Sequence, residues 1–248
     1  MGPAPLVPCD EMSGWKRPFR HAEPAAERMS NAPRVVQVWD APVRLFHWLA
    51  AVLVAAAYVT WRLNWMVWHG RVGDVLLALL LFRLLWGFFG SETARFSRFL
   101  TSPRTAAQHL RYALVREPDR QIGHNPAGGW MVLLLLLLLL AETLTGLYVA
   151  NDIADVGPLT EFVPAPAANA IEAAHAILWD VLLAAIVLHV LAIAGYAAIK
   201  GQNLLGPMIT GTKVLPPSLA PPRIANLGWA VLLLAGCAAA ATALVNFL

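Results

Sequence analysis

Charged residues are scarce in this chain of 248 residues. Asp, Glu, Lys and Arg make up 13% of the sequence, about half the fraction found in an ordinary soluble domain. Hydrophobic residues make up 58%, and the mean hydropathy is +0.60. This balance argues against a water-soluble domain. The small excess of basic over acidic residues, 18 against 15, does not suggest nucleic acid as a partner.

Cysteine is also nearly absent. Cys9 lies in a polar stretch and Cys237 in an apolar run, so the two form neither a CxxC motif nor a disulfide framework. The sequence also has no Walker loop, nucleophile elbow, zincin motif or dinucleotide-binding fingerprint. Thiol redox chemistry and thiolate metal sites are therefore not expected.

Long apolar runs dominate what remains. Each is close to the ~20 residues that cross a bilayer as a helix, which predicts an all-α integral membrane protein with five spans. The predicted spans are residues 45–64, 72–90, 130–150, 174–197 and 227–247. Residues 1–34 are polar, lack a signal-peptide core and are expected to form a disordered tail. Residues 35–213 would form the main membrane domain, and residues 214–248 a linker with the fifth helix.

The basic residues are distributed unevenly between the two sides of the predicted membrane domain. Fifteen lie before the first span, between the second and third, or between the fourth and fifth, whereas only Arg62 and Arg71 lie on the other side. Cytoplasmic loops carry the excess of Lys and Arg. The pattern therefore predicts a cytoplasmic N-terminus and a C-terminus outside the cytoplasm.

Histidines within the apolar segments are the strongest indication of function. His175 and His189 on the fourth span are fourteen residues apart, which puts both on one helix face about 21 Å apart. His69 begins the second span at the depth of His175, and His47 lies in the first span nearer to His189. The spacing predicts two stacked sites, one near each membrane surface.

A pair of neutral imidazoles suits a six-coordinate haem iron that transfers electrons. Bringing two rings onto each of two irons requires four helices, so we expect a four-helix haem-binding bundle plus one additional C-terminal helix. Two alternatives stay open. In the first, the histidines are satisfied polar residues within membrane helices. In the second, His124, just before the third span, replaces His189 as the partner of His47.

Three further charged residues lie away from the ends of the predicted spans, where such residues mark candidate sites. Arg83 lies fourteen residues after His69 and reaches the cytoplasmic half of the membrane, where its guanidinium would pair with a haem propionate or extend to the lipid headgroups. Glu142 and Asp180 fall in the outer half of the third and fourth spans. Either would accept a proton, bond a cofactor edge, or remain protonated and bonded within its own helix.

Several stretches resemble the bacterial cytochrome b561 family, which includes b-type cytochrome subunits of nickel-iron hydrogenases. The stretches are residues 38–48, 69–71, 82–90, 123–132 and 208–211, together with the pair His175 and His189. The resemblance implies a four-helix bundle with two haems b. It assigns His47 and His189 to the cytoplasmic-side haem and His69 and His175 to the outer one. It also implies quinone as a substrate and electron exchange with a redox partner.

We therefore expect a di-haem b-type cytochrome in the bacterial inner membrane. It would transfer electrons between the quinone pool and a periplasmic partner, either a c-type cytochrome or a hydrogenase-like protein. One alternative is a superoxide:quinone oxidoreductase. An alternative of another class is a haem-free metal or proton transporter or a membrane anchor. The sequence leaves open whether the chain is itself an enzyme or an electron-transfer subunit.

Overall fold

The computed structural model describes residues 33–111, 115, 121–149 and 157–247. The expected tail therefore lies almost wholly outside the described residues. Ten α-helices and β-strands follow one another along the described chain. They are β1 (Arg34–Gln37), α1 (Ala41–Arg62), α2 (Met66–Phe89), α3 (Phe96–Phe99), α4 (Pro103–Arg111), α5 (Pro126–Gly146), α6 (Ala165–Gly195), α7 (Leu205–Thr210), β2 (Thr212–Leu215) and α8 (Leu227–Phe247).

Five of these helices, α1, α2, α5, α6 and α8, are long and apolar enough to cross a membrane. The sequence prediction of an all-α membrane protein with five spans is thus confirmed. A π-helical turn, Tyr196–Lys200, extends α6, so this span reaches 36 residues. Its length exceeds the ~20 residues that a bilayer requires.

Two of the membrane helices begin at capping residues that lie before the predicted apolar spans. The Asp40 carboxylate accepts a hydrogen bond from the Val43 amide at 2.8 Å, and the Asn125 side chain accepts one from the Gly128 amide at 2.7 Å. Each cap satisfies an amide that the first helical turn leaves without a partner. A proline follows directly at or next to the first helical position. Consequently α1 and α5 each begin four residues before the apolar run that predicts them.

The central core draws apolar side chains from four helices. Phe46 of α1, Leu80 of α2, Leu139 of α5 and Leu182 of α6 are all buried in one cluster. Neighbouring helices pack in the order α1, α2, α5, α6, while α8 packs against the outer side of α2. The first four helices therefore form the bundle, and α8 is a lateral addition. Its buried residues, Ala230, Cys237 and Ala241, include none that ionise apart from the thiol.

The first and fourth bundle helices meet through aromatic side chains. The ring centroids of Tyr58 and Trp179 are 5.5 Å apart and the rings stack at 15°. This stack and the ring contact between His47 and His189, described below, link α1 and α6.

A two-stranded ribbon that the sequence did not predict closes one end of the bundle. Strands β1 and β2 pair antiparallel, from Arg34 opposite Leu215 to Gln37 opposite Thr212. Gly211 ends α7 in the left-handed region at φ +84°, and its carbonyl accepts the amides of Val38 and Trp39 at 2.8 and 3.1 Å. Because the partner strands are far apart in sequence, only the folded bundle brings them together. We call this end of the bundle the ribbon end and the other the opposite end.

Candidate functional site

Two histidines face each other near the ribbon end. His47 lies in the second turn of α1 and His189 in α6, and their ring centroids are 6.3 Å apart. Metal–imidazole bonds of about 2 Å on opposite sides of one ion would place the two centroids about 6 Å apart. The separation therefore fits two imidazoles that would hold one iron between them. The Nδ1 atom of His47 is buried and has no hydrogen-bond partner among the described residues.

The second histidine pair lies at the opposite end. His69 is in the first turn of α2, and His175 is near enough to interact with it electrostatically. The Nδ1 atom of His69 lies 2.9 Å from the carbonyl oxygen of Ala57. Because a carbonyl only accepts, Nδ1 carries the proton and Nε2 is left as the metal-binding atom.

The environment of His175 has the same effect on its tautomer. Its Nδ1 atom is 3.0 Å from Oγ1 of Thr145 and 3.1 Å from the carbonyl oxygen of Glu142. The ring lies against Gly146, where an added Cβ would stand 3.3 Å from Cε1 of His175. The lack of a side chain at Gly146 therefore makes room for the imidazole. The sequence analysis did not single out Thr145 or Gly146 as site residues, since neither a threonine nor a glycine in a membrane helix is a specific signal.

Glu142 extends into the same region. One carboxylate oxygen is 3.5 Å from Nε2 of His175, and the other, Oε2, is buried with no partner in the described part of the chain. By contrast, Asp180 is exposed on the surface of α6. The structure thus brings Glu142, and not Asp180, to the histidine pair.

His124 does not occupy the position opposite His47 that the alternative in the sequence analysis gave it. Its ring centroid lies 4.5 Å from that of Trp39 and 4.8 Å from that of Phe99. The ring facing His47 belongs to His189. Burial lowers the pKa of His124 to about 3, with a further contribution from nearby Arg83. His124 is therefore a neutral residue packed beside the ribbon-end pair.

Arg83 is buried inside the protein, with 2% of its surface exposed. Its Nη1 atom is 3.4 Å from the carbonyl oxygen of Ala94, its guanidinium carbon lies 5.5 Å from the centre of the Phe96 ring, and Asp40 attracts it electrostatically. No carboxylate lies within 4.0 Å of it among the described residues. This position differs from that of an arginine extended to the lipid headgroups, and it leaves most of the guanidinium donors free for an anionic group.

The titratable residues do not form a site for a bare metal ion in the described ranges. No group of three or more His, Cys, Asp or Glu side chains is arranged to hold one. The histidines instead occur as one pair of facing rings, His47 and His189, and a second pair, His69 and His175, that lie near enough to interact electrostatically. A bundle of apolar spans with histidines paired across it is the architecture of a membrane b-type cytochrome.

Comparison with known proteins identifies the family. The profile described as prokaryotic cytochrome b561 matches residues 38–211, and the chain belongs to this family. It is therefore a multi-pass membrane protein of a family that carries haem b and transports electrons. The match covers all four bundle helices and ends before α8.

Two curated relatives carry a related description. A probable Ni/Fe-hydrogenase B-type cytochrome subunit of Rhizobium leguminosarum bv. viciae is 28% identical over 159 residues, which cover 53% of this chain and 64% of the relative. A protein of the same description from Bradyrhizobium diazoefficiens is 30% identical over 131 residues, covering 42% of this chain and 53% of the relative. The chain thus spans about half to two thirds of these relatives. No solved structure matches it significantly.

Proposed function

We propose that the chain binds two haems b, one between His47 and His189 at the ribbon end and one between His69 and His175 at the opposite end. The observation that carries the proposal is the 6.3 Å separation of the His47 and His189 ring centroids. The buried, unpartnered Nδ1 of His47 adds to it, because polar atoms inside proteins rarely lack a partner. When bound, the haems supply one-electron redox chemistry.

The residues of the chain hold and insulate these cofactors. The four histidines would hold the haem irons through ring nitrogens, and the hydrogen bonds to Nδ1 of His69 and His175 leave Nε2 as the nitrogen available to iron. Arg83 would hold a propionate carboxylate of the ribbon-end haem, because it is a buried cation without a carboxylate within 4.0 Å in the described structure. Within a membrane, the apolar helices would keep water away and so maintain a low dielectric around both sites.

We propose further that the protein transfers electrons across the bacterial inner membrane, between the quinone pool and a periplasmic redox partner. The partner would be a c-type cytochrome or a hydrogenase-like protein, and the descriptions of the two relatives as hydrogenase cytochrome subunits support the second. The ribbon end would face the cytoplasm. Basic residues such as Arg44, Arg98 and Lys213 lie on that side, whereas Arg62 and Arg71 are the only ones at the opposite end among the described residues.

Haem counting on the purified protein tests the proposal. The reduced-minus-oxidised spectrum and a pyridine haemochrome assay should give two haems b per chain. His175→Ala should lose one haem and His47→Ala the other, while His109→Ala, which alters a histidine outside both pairs, should keep both. A protein without haem, or one whose haem content is unchanged by His175→Ala, would refute the assignment.

A further inference from the structure

Thr145 is placed to act on the haem site at the opposite end through His175. Its Oγ1 lies 2.8 Å from the carbonyl oxygen of Ala141 and 3.0 Å from that of Glu142, so the single hydroxyl proton is directed to its own helix. The remaining lone pairs of Oγ1 face Nδ1 of His175 at 3.0 Å. The hydroxyl therefore accepts a hydrogen bond from the Nδ1–H group.

The Glu142 carbonyl provides a second acceptor for the same proton, at 3.1 Å from Nδ1. Two acceptors on one N–H group pull the proton away from the ring and make the other nitrogen, Nε2, a stronger donor to a metal. A more basic axial ligand stabilises ferric iron more than ferrous iron and so lowers the reduction potential. The contact also fixes the rotation of the ring, which lies against Gly146.

The ribbon-end pair has no equivalent arrangement at His47. Its Nδ1 atom is buried without a partner among the described residues, and its closest ring neighbours are Trp48 and His189, with centroids 4.9 and 6.3 Å away. A hydroxyl on α5 thus distinguishes one histidine pair from the other, although both use the same ligand type.

We infer that Thr145 is a positioning residue that holds His175 as the Nδ1–H tautomer, fixes its orientation and lowers the potential of the haem at the opposite end. This inference rests on the proposed function, because it requires that His175 bind a haem. It assigns to a residue outside the ligand set a role in setting the electron affinity of one haem and not of the other.

The chain offers a matched control for testing this role. Thr143 lies on the same helix and its hydroxyl likewise donates to carbonyls one turn earlier, those of Leu139 and Leu140 at 3.0 and 3.1 Å. In the described structure it makes no bond to a histidine. Thr143→Val therefore removes an intrahelical hydrogen bond equivalent to the one that Thr145→Val removes, without changing any contact to His175.

The experiment is a spectroelectrochemical titration of the full-length protein in detergent, with the two haems assigned by His69→Ala and His47→Ala. In Thr145→Val the ferrous-to-ferric ratio of the opposite-end haem at a fixed potential should rise about threefold, a shift of roughly 28 mV at 59 mV per tenfold change for one electron. Its low-spin electron paramagnetic resonance signal should change as well. The ribbon-end haem should keep its potential, and Thr145→Ser should restore both properties.

Each outcome bears on the inference. Loss of the opposite-end haem alone in Thr145→Val, with retention in Thr145→Ser and Thr143→Val, would also support it, because the intact ribbon-end haem shows that the bundle has folded. Unchanged potentials in Thr145→Val, or an equal shift in Thr143→Val, would overturn the inference while leaving two haems in place. A wild-type protein without the opposite-end haem would instead refute the proposed function and this inference together.

Discussion

Replacing Asp40 with alanine is expected to destabilise the ribbon end of the bundle strongly. Asp40 and Trp86 are almost completely buried, with 1% and 0% of their surfaces exposed. One carboxylate oxygen of Asp40 accepts the Val43 amide at 2.8 Å, and the other accepts the Trp86 indole N–H at 2.9 Å. The carboxylate also attracts the buried guanidinium of Arg83. A single side chain thus caps α1, anchors α2 and faces a buried cation.

The magnitude follows from the two hydrogen bonds. Losing the cap of α1 costs about 1 kcal/mol, and leaving the Trp86 indole N–H buried without an acceptor costs roughly 1–3 kcal/mol. Asp40→Ala should therefore lower the free energy of unfolding by about 2–4 kcal/mol. For a chain of this size that corresponds to a fall of roughly 4–16 °C in the unfolding midpoint.

Thermal unfolding in detergent, followed by circular dichroism, measures the effect. Asp40→Asn is the matched control, because its single amide oxygen can accept a hydrogen bond from Val43 or from Trp86 but not from both. This variant should therefore lose about half as much unfolding free energy as Asp40→Ala. Trp86→Phe removes the indole donor. In the double variant the two losses should therefore be less than additive. A midpoint of Asp40→Ala within 2 °C of the wild type (below the ~4 °C lower bound), or full additivity with Trp86→Phe, would refute this account.

Three further predictions address individual residues at the two sites. Gly146→Ala should weaken haem binding at the opposite end by about 5- to 150-fold, because overpacking costs about 1–3 kcal/mol. Haem titration of the apoprotein measures the affinity. The control variant Gly195→Ala, where nothing lies within 4 Å of an added Cβ, should bind haem normally. Arg83→Gln should lower the potential of the ribbon-end haem by tens of millivolts, because a nearby cation favours the reduced state; an unchanged redox titration would contradict the propionate assignment. The pKa of His124 is lowered from 6.5 to about 3 in the folded protein. Between these two pH values His124 is protonated in the unfolded chain but neutral in the folded one, so acid favours unfolding. This residue should therefore make the protein about 2 kcal/mol less stable at pH 5 than at pH 7. His124→Gln should remove that part of the pH dependence, and an unaltered slope in thermal unfolding would show that His124 is not held neutral.

The sequence predicted the number and order of the membrane spans because the signal is local. Each span is a run of apolar residues of sufficient length, and no tertiary contact is needed to recognise it. The ends of the helices were less well predicted, since hydropathy cannot detect capping. Asp40 and Asn125 start α1 and α5 in polar segments that precede the apolar windows.

The ribbon and the surroundings of His124 could not have been predicted in the same way. Strand β1 pairs with a segment that only the return of α6 brings to the same end. The rings of Trp39 and Phe99 that pack against His124 come from separate elements. The predicted topology put His124 on the same side of the membrane as His47, which made it a rival of His189. Only the packing shows that the ring facing His47 belongs to His189.

The two histidine pairs also show what spacing does not reveal about redox function. Helical periodicity puts His175 and His189 on one face of α6, and it treats the two positions as equivalent. The structure makes them different, because the pair at the opposite end is bonded through Nδ1 to carbonyl and hydroxyl oxygens, whereas the ribbon end has Arg83 buried nearby and an unbonded Nδ1 on His47. Hydrogen bonds to the ligands and a nearby cation shift potentials in opposite directions. A chain with four identical ligand types can therefore hold two haems of different electron affinity, and that difference depends on residues that no histidine motif contains.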